Sequence, residues 1–195
     1  MKRQSLLVIG RWGLPVLAVA YGVYRAIALR WVGDDAFISF RYARNLIDGH
    51  GLVFNVGERV EGYTNFLWTI LMAGGLGLGA DPVVFSWLLS IAAYAGTVVV
   101  TGGLAWRLAR RHGPLRGWFL PLTALVLLVH HDQQVWATGG LETSLFTFLV
   151  AAGFAALVLA RRPPGYLLSG ALMTLAALTR PDGVLINLGA DIPTF

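Results

Sequence analysis

The chain has no cysteine among its 195 residues. That excludes disulfides, thiolate metal sites and a cysteine nucleophile. Charge is scarce: charged residues make up 13%, about half the roughly 25% of ordinary soluble domains. Acids are scarcer than bases, 10 Asp and Glu against 15 Lys and Arg. No sustained heptad pattern or internal period is present, so coiled coils and solenoids drop out. What fills the chain instead is apolar: 56% of residues are hydrophobic and mean hydropathy is +0.67, which excludes intrinsic disorder. A net charge of +5 would suit a nucleic-acid partner, but the charges fall in clusters between long apolar runs. The pattern is that of an all-α, polytopic membrane protein without a nucleic-acid partner.

Apolar segments at about 12–30, 83–106, 117–130, 143–160 and 166–179 read as crossings, with the start of another after Gly183. The first follows Lys2, Arg3 and Arg11, which keeps the N-terminus cytoplasmic. Ala18-Val-Ala20 resembles a signal-peptidase site, but the apolar segments continuing downstream argue for an anchor instead. Val83–Trp106 carries no charge and is long enough to cross roughly 30 Å of hydrocarbon. The chain reaches Phe195 inside an unfinished apolar segment, so it reads as the N-terminal part of a longer membrane domain.

Phe66–Leu78 decides the topology. If it lies at the membrane surface, Arg107, Arg110, Arg111, Arg116, Arg161 and Arg162 join the basic N-terminus in the cytoplasm, where no acid falls. The acids, from Asp34 to Asp182, then all face outward. If it crosses, both Arg clusters become external, against the positive-inside rule. The surface arrangement gives a long first external loop, about 31–82, a second at about 130–142 and a third around Thr179–Gly183.

In the first loop, Asp35 to Asp48 reads as an amphipathic helix closed by Gly49 at the C′ position. Asp34, Arg41 and Asn45 share one face; Asp35, Ser39 and Tyr42 lie on the neighbouring one. Adjacent carboxylates just outside a membrane can bind a divalent cation, or act as base and orienter. The plainer role is that one Asp caps the helix while the other stays free. Further on, Glu61, Tyr63, Thr64 and Asn65 form a polar cluster opening an apolar helix, which Thr64 is placed to cap. Tyr63 and Trp68 suit the membrane interface and equally a substrate contact. In the second loop His130, His131 and Asp132 gather, but helical neighbours point about 100° apart, which disfavours a shared metal. Arg180-Pro-Asp-Gly183 is a helix-to-turn junction whose arginine can pair with a lipid phosphate.

The run Asp34-Asp-Ala-Phe-Ile-Ser-Phe-Arg-Tyr-Ala-Arg-Asn45, followed by Gly49-His-Gly-Leu-Val-Phe-Asn-Val-Gly-Glu-Arg-Val-Glu-Gly-Tyr-Thr-Asn-Phe-Leu-Trp68, resembles the first external loop of GT-C glycosyltransferases. Within them it resembles the mycobacterial terminal arabinofuranosyltransferase group and related actinobacterial proteins. Gly140-Leu-Glu-Thr143 and Leu178-Thr-Arg-Pro-Asp-Gly183 resemble later motifs of that group. The resemblance implies a GT-C-type transmembrane bundle with an amphipathic and an interfacial helix in its first loop. It implies a polyprenyl-phosphate sugar donor, a glycan acceptor and an inverting transfer on the outer face of the cytoplasmic membrane, the sugar being arabinofuranose in that group. Asp34 first, and Asp35 second, take the place of the catalytic base. Arg41, His131 and Arg180 are placed to hold the departing lipid phosphate. Glu61, Tyr63 and Glu142 are placed for sugar or acceptor contacts, and Tyr42, Asn45, Thr64 and Asp182 complete the candidate substrate contacts. If a divalent cation takes part, Asp34 and Asp35 are its ligands. Against an enzyme stand two other classes: a non-enzymatic envelope or flagellar assembly factor on the same scaffold, and a transporter. Arg25 is the main charge within a span, near a helix end where it can snorkel, so transport is the weaker of the two.

Overall fold

The computed structural model describes residues 16–111 and 122–190, with side chains described to residue 186. Lys2, Arg3, Arg11 and Arg116 lie outside the described residues, as do the first parts of the expected 12–30 and 117–130 crossings. The described residues are helical, with no strand among them. In chain order the helices are α1 (Val16–Ala28), α2 (Asp35–Ile47), α3 (Phe66–Gly77), α4 (Pro82–Arg111), α5 (Leu122–Val129), α6 (His131–Trp136), α7 (Thr143–Leu159), α8 (Pro163–Thr179) and α9 (Asp182–Ala190).

Of these, α4 is long and apolar enough to cross a membrane, at 30 residues or about 45 Å of rise. The 12 residues of α3 rise only about 18 Å, short of the hydrocarbon thickness. Its end is set by chemistry: Gly79 adopts φ +82, and Gly79 and Ala80 donate their N–H groups to the carbonyls of Leu76 and Gly75, a Schellman closure. Gly49 ends α2 in the same way at φ +83, where the sequence places it. His50 N–H bonds the Asn45 carbonyl at 2.9 Å.

Two cores share α4. In one, Ala36, Phe40 and Ala43 of α2 and Trp68, Met72 and Leu76 of α3 pack with Ala93, Leu145, Leu149 and Ala176. In the other, Ala26 of α1 meets Tyr94 and Val98 of α4, Ala124 and Leu128 of α5, and Ala137. Small residues bring the helices close, as in membrane bundles. A Cβ on Gly96 would stand 2.8 Å from the Phe148 ring, and one on Gly153 would stand 2.9 Å from Met173. Ser169 donates its hydroxyl to the Gly153 carbonyl at 2.9 Å.

These contacts fix the helix directions. Ser90 reaches Leu141 and Gly96 meets Phe148, so α4 and α7 run the same way. Gly153 meets Ser169 and Met173, while Phe146 meets Arg180, so α8 runs back. One end of the bundle therefore gathers Arg107, Arg110, Arg111, Arg161 and Arg162. The opposite end gathers Asp34, Asp35, Glu61, Glu142, Arg180 and Asp182. This segregation is the one that the surface reading of Phe66–Leu78 requires.

Candidate functional site

At the acidic end, the first two loops are stapled together by backbone and indole hydrogen bonds. Gly33 N–H donates to the Gly139 carbonyl at 3.0 Å. Trp31 Nε1 donates to Val135 O at 3.0 Å, and Trp68 Nε1 to Gly140 O at 3.2 Å. Trp87 Nε1 donates to Trp31 O at 2.9 Å, and the Trp31 and Trp136 rings meet edge to face with centroids 5.4 Å apart. Gly140, at φ +82, lies so close to α2 that a Cβ there would stand 2.7 Å from Ala36 Cβ. Only glycine meets both the left-handed backbone and the approach. The third loop joins through Arg180, whose guanidinium lies 5.6 Å from the Phe146 ring centroid and 3.1 Å from the Asp182 carboxylate.

Asp34 and Asp35 open α2 at this junction. Asp34 occupies the N-cap position with helical φ and ψ and makes no side-chain cap bond. The expectation that one of the two caps the helix is thus corrected. Both carboxylates are exposed.

The polar groups of Arg41, Tyr42 and Asn45 hold the loop that follows α2. Tyr42 is 1% exposed; its hydroxyl donates to Val60 O at 2.8 Å and accepts from Gly62 N–H at 2.9 Å. Asn45 Nδ2 donates to Val53 O at 2.7 Å and Phe54 O at 2.9 Å. Arg41 Nε donates to Phe54 O at 3.1 Å, which leaves its two terminal nitrogens unpaired among the described residues. Tyr42 and Asn45 are therefore loop tethers, while Arg41 is a tether with a free cationic edge. Tyr42→Phe removes both phenol bonds, to Val60 O and from Gly62 N–H, at about 0.5–1.5 kcal/mol for each. Hydrogen exchange should speed up over residues 53–62 while α4 and α7 keep their protection.

Arg41 also lines a groove of about 530 Å³ with Phe37, Phe40, Arg44, Phe54, Leu76 and Pro82. Aromatic and aliphatic walls with two guanidiniums match an amphiphile that bears an anion. By helical geometry Asp34 lies at the edge of this face, and Asp35 about half a turn from it.

The remaining candidates divide. Tyr63 is half-buried against Tyr42, with centroids 4.6 Å apart. Burial, then the nearby Glu61 carboxylate, then Tyr42 raise its phenol above the usual tyrosine range. Glu61, Thr64 and His131 are exposed and unpaired among the described residues. The N-cap of α3 is Asn65, not Thr64. Glu142 is half-buried at the N-cap of α7 and accepts a hydrogen bond from Asn65 Nδ2 at 2.9 Å. No group of three His, Asp or Glu that could hold a metal occurs among the described residues. Arg44, Ser39, Asn65 and Thr69 are additions that the sequence motifs did not single out as site residues. Helical spacing alone would have put Arg44 on the Arg41 face.

Among the described residues, an all-helical fold with one membrane-length helix, carrying acids and arginines on loops gathered at one end, is the class that fold and site define. Its relatives make that class specific. It is 33% identical over 185 residues, 89% of this chain, to the terminal β-(1→2)-arabinofuranosyltransferase of Mycobacterium tuberculosis. It is 31% identical over 133 residues, 67% of this chain, to the protein of the same name from Corynebacterium glutamicum. The chain is thus related in sequence to the terminal arabinofuranosyltransferase group, as the loop motifs indicate. It spans 29% of the first relative's length and 19% of the second's. No family model and no solved structure matches it.

Proposed function

We propose that this chain forms the donor-receiving part of a membrane glycosyltransferase. In this reading it takes a polyprenyl-phosphate sugar, arabinofuranose by analogy with its relatives' names, on the outer face of the cytoplasmic membrane. The sugar goes to a hydroxyl of a cell-envelope glycan with inversion. The observation that carries the proposal is the acidic tip of α2 standing at the edge of the Arg41–Arg44 groove.

The chemistry asks for that pairing. As the acceptor hydroxyl attacks the anomeric carbon, the bond from that carbon to the phosphate oxygen breaks, and the lipid phosphate leaves with an added negative charge. Fixed guanidiniums beside it stabilise the transition state. The attacking hydroxyl loses its proton to a positioned carboxylate at the tip of α2, Asp34 before Asp35 by the likeness of this loop to its relatives. Phe37, Phe54 and Leu76 would line the isoprenoid nearest the phosphate.

The membrane setting is supported by α4 and by the segregated charges. With Arg107, Arg110, Arg111, Arg161 and Arg162 cytoplasmic, the positive-inside rule turns the acidic end outward. Apolar side chains exposed along the helices, such as Leu88 and Val99 on α4 and Leu167 on α8, then face lipid rather than water. The short α3 lies at the surface beneath the first loop.

The test is to incubate the full-length protein in liposomes with a panel of polyprenyl-phosphate sugars and an arabinofuranosyl oligosaccharide, following product by mass spectrometry. The expected result is a glycosylated acceptor from one donor. No product from any donor, in a protein that restores envelope assembly to a deletion strain, would replace this reading with that of an assembly factor.

A further inference from the structure

We propose that Asn65 is a positioning residue that aims the Glu142 carboxylate at a hydroxyl of the acceptor glycan. The proposal rests on the glycosyltransferase reading above and assigns the acceptor side of that site. Asn65 is 8% exposed and ties three helices together. Its Nδ2 donates to Glu142 Oε2 at 2.9 Å and to Ser39 Oγ at 3.0 Å. Its Oδ1 accepts from the hydroxyls of Ser39 and Thr69, each at 3.2 Å. A buried amide with both atoms bonded has one orientation open to it, so it fixes whatever it holds.

What it holds is half a carboxylate. Glu142 is half-buried, and Oε1 has no partner among the described residues, yet it is not one of their sealed, unbonded atoms, where Ser144 Oγ stands alone. No cation pairs with Glu142 among the described residues, whose one ion pair is Arg180 with Asp182. A half-buried carboxylate without a cation repels phosphate and accepts from neutral hydroxyls. That chemistry fits a sugar and not the lipid phosphate.

Its place fits the acceptor in particular. Ser39, through which Asn65 touches α2, shares its face with Asp35, about half a turn from Phe37, Arg41 and Arg44 in the groove. In an inverting displacement the incoming hydroxyl and the departing phosphate lie on opposite sides of the anomeric carbon. With the phosphate on the groove side, the network stands on the acceptor side, and the acidic pair at the tip of α2 lies between them.

Steady-state kinetics of the full-length protein, with a polyprenyl-phosphate arabinofuranose donor and a synthetic arabinofuranosyl oligosaccharide, separate the two substrates. Glu142→Gln should raise the acceptor KM by about 10- to 100-fold, the range for a hydrogen bond to a charged group, while the donor KM and kcat change little. Asn65→Ala should raise the same KM, and in the Glu142→Gln background it should add nothing further.

An unchanged acceptor KM in Glu142→Gln, whose half-exposed side chain can be replaced without disturbing the buried hub, overturns the proposal even if Asn65→Ala does not fold. Multiplying effects of Asn65→Ala and Glu142→Gln overturn the positioning role. A wild-type protein that makes no product overturns this proposal together with the reading beneath it, whereas an active wild type confines any failure to Glu142 and Asn65.

Discussion

Asp34→Asn lowers the rate of sugar transfer by about 10²- to 10⁴-fold, the usual contribution of a positioned base, in a protein that still folds and inserts. The side chain is exposed and makes no bond among the described residues, and it does not cap α2. The amide therefore replaces the carboxylate without breaking a contact. In the proposed mechanism it removes the proton acceptor, so kcat should fall while both KM values hold. Product formation in liposomes, with circular dichroism as the check on folding, measures it. Asp35→Asn belongs in the same experiment: if it alone is inactive, the base moves to Asp35, and if both variants keep the wild-type rate, α2 does not supply the base.

Trp68→Ala should cost roughly 3–5 kcal/mol of stability, as for other large buried aromatics. The side chain is 0% exposed, belongs to the first core with Ala36, Phe40 and Ala43 of α2, and holds the Gly140 carbonyl from the second loop. Trp68→Phe keeps most of the volume and loses the indole N–H, so it should cost less, about 1–3 kcal/mol for the unpaired carbonyl. Chemical denaturation in detergent micelles ranks the variants. A Trp68→Ala protein as stable as the wild type would mean that α3 is not part of the core that carries the site.

Local features were legible in the sequence because they rest on local physics. The amphipathic period from Asp35 and the glycine at 49 specify α2, whose observed span, Asp35–Ile47, ends within a residue of the expected one. The clustered arginines and acids gave the segregation of charge between the two ends of the bundle. What stayed hidden depends on distant partners. Arg41, Tyr42 and Asn45 look like free polar groups on a helix, because nothing in their spacing shows that carbonyls at 53, 54 and 60 fold back over them. Asn65 reads as one of a polar cluster opening α3, yet its partners lie 26 and 77 residues away. Thr64 reads as a cap because hydroxyls favour that position. The helix begins one residue later, which turns Asn65 toward Ser39 and Glu142.

The staple between Trp31 and Val135 spans 104 residues of chain. During synthesis at about 5–20 residues per second, the acidic tip of α2 emerges roughly 5–20 s before the segment that anchors it. Throughout that interval Trp31 Nε1 and Gly33 N–H lack their carbonyl partners. Ribosome-bound chains halted before residue 130 should therefore show the first loop open to protease, and chains halted well beyond residue 180 should show it closed.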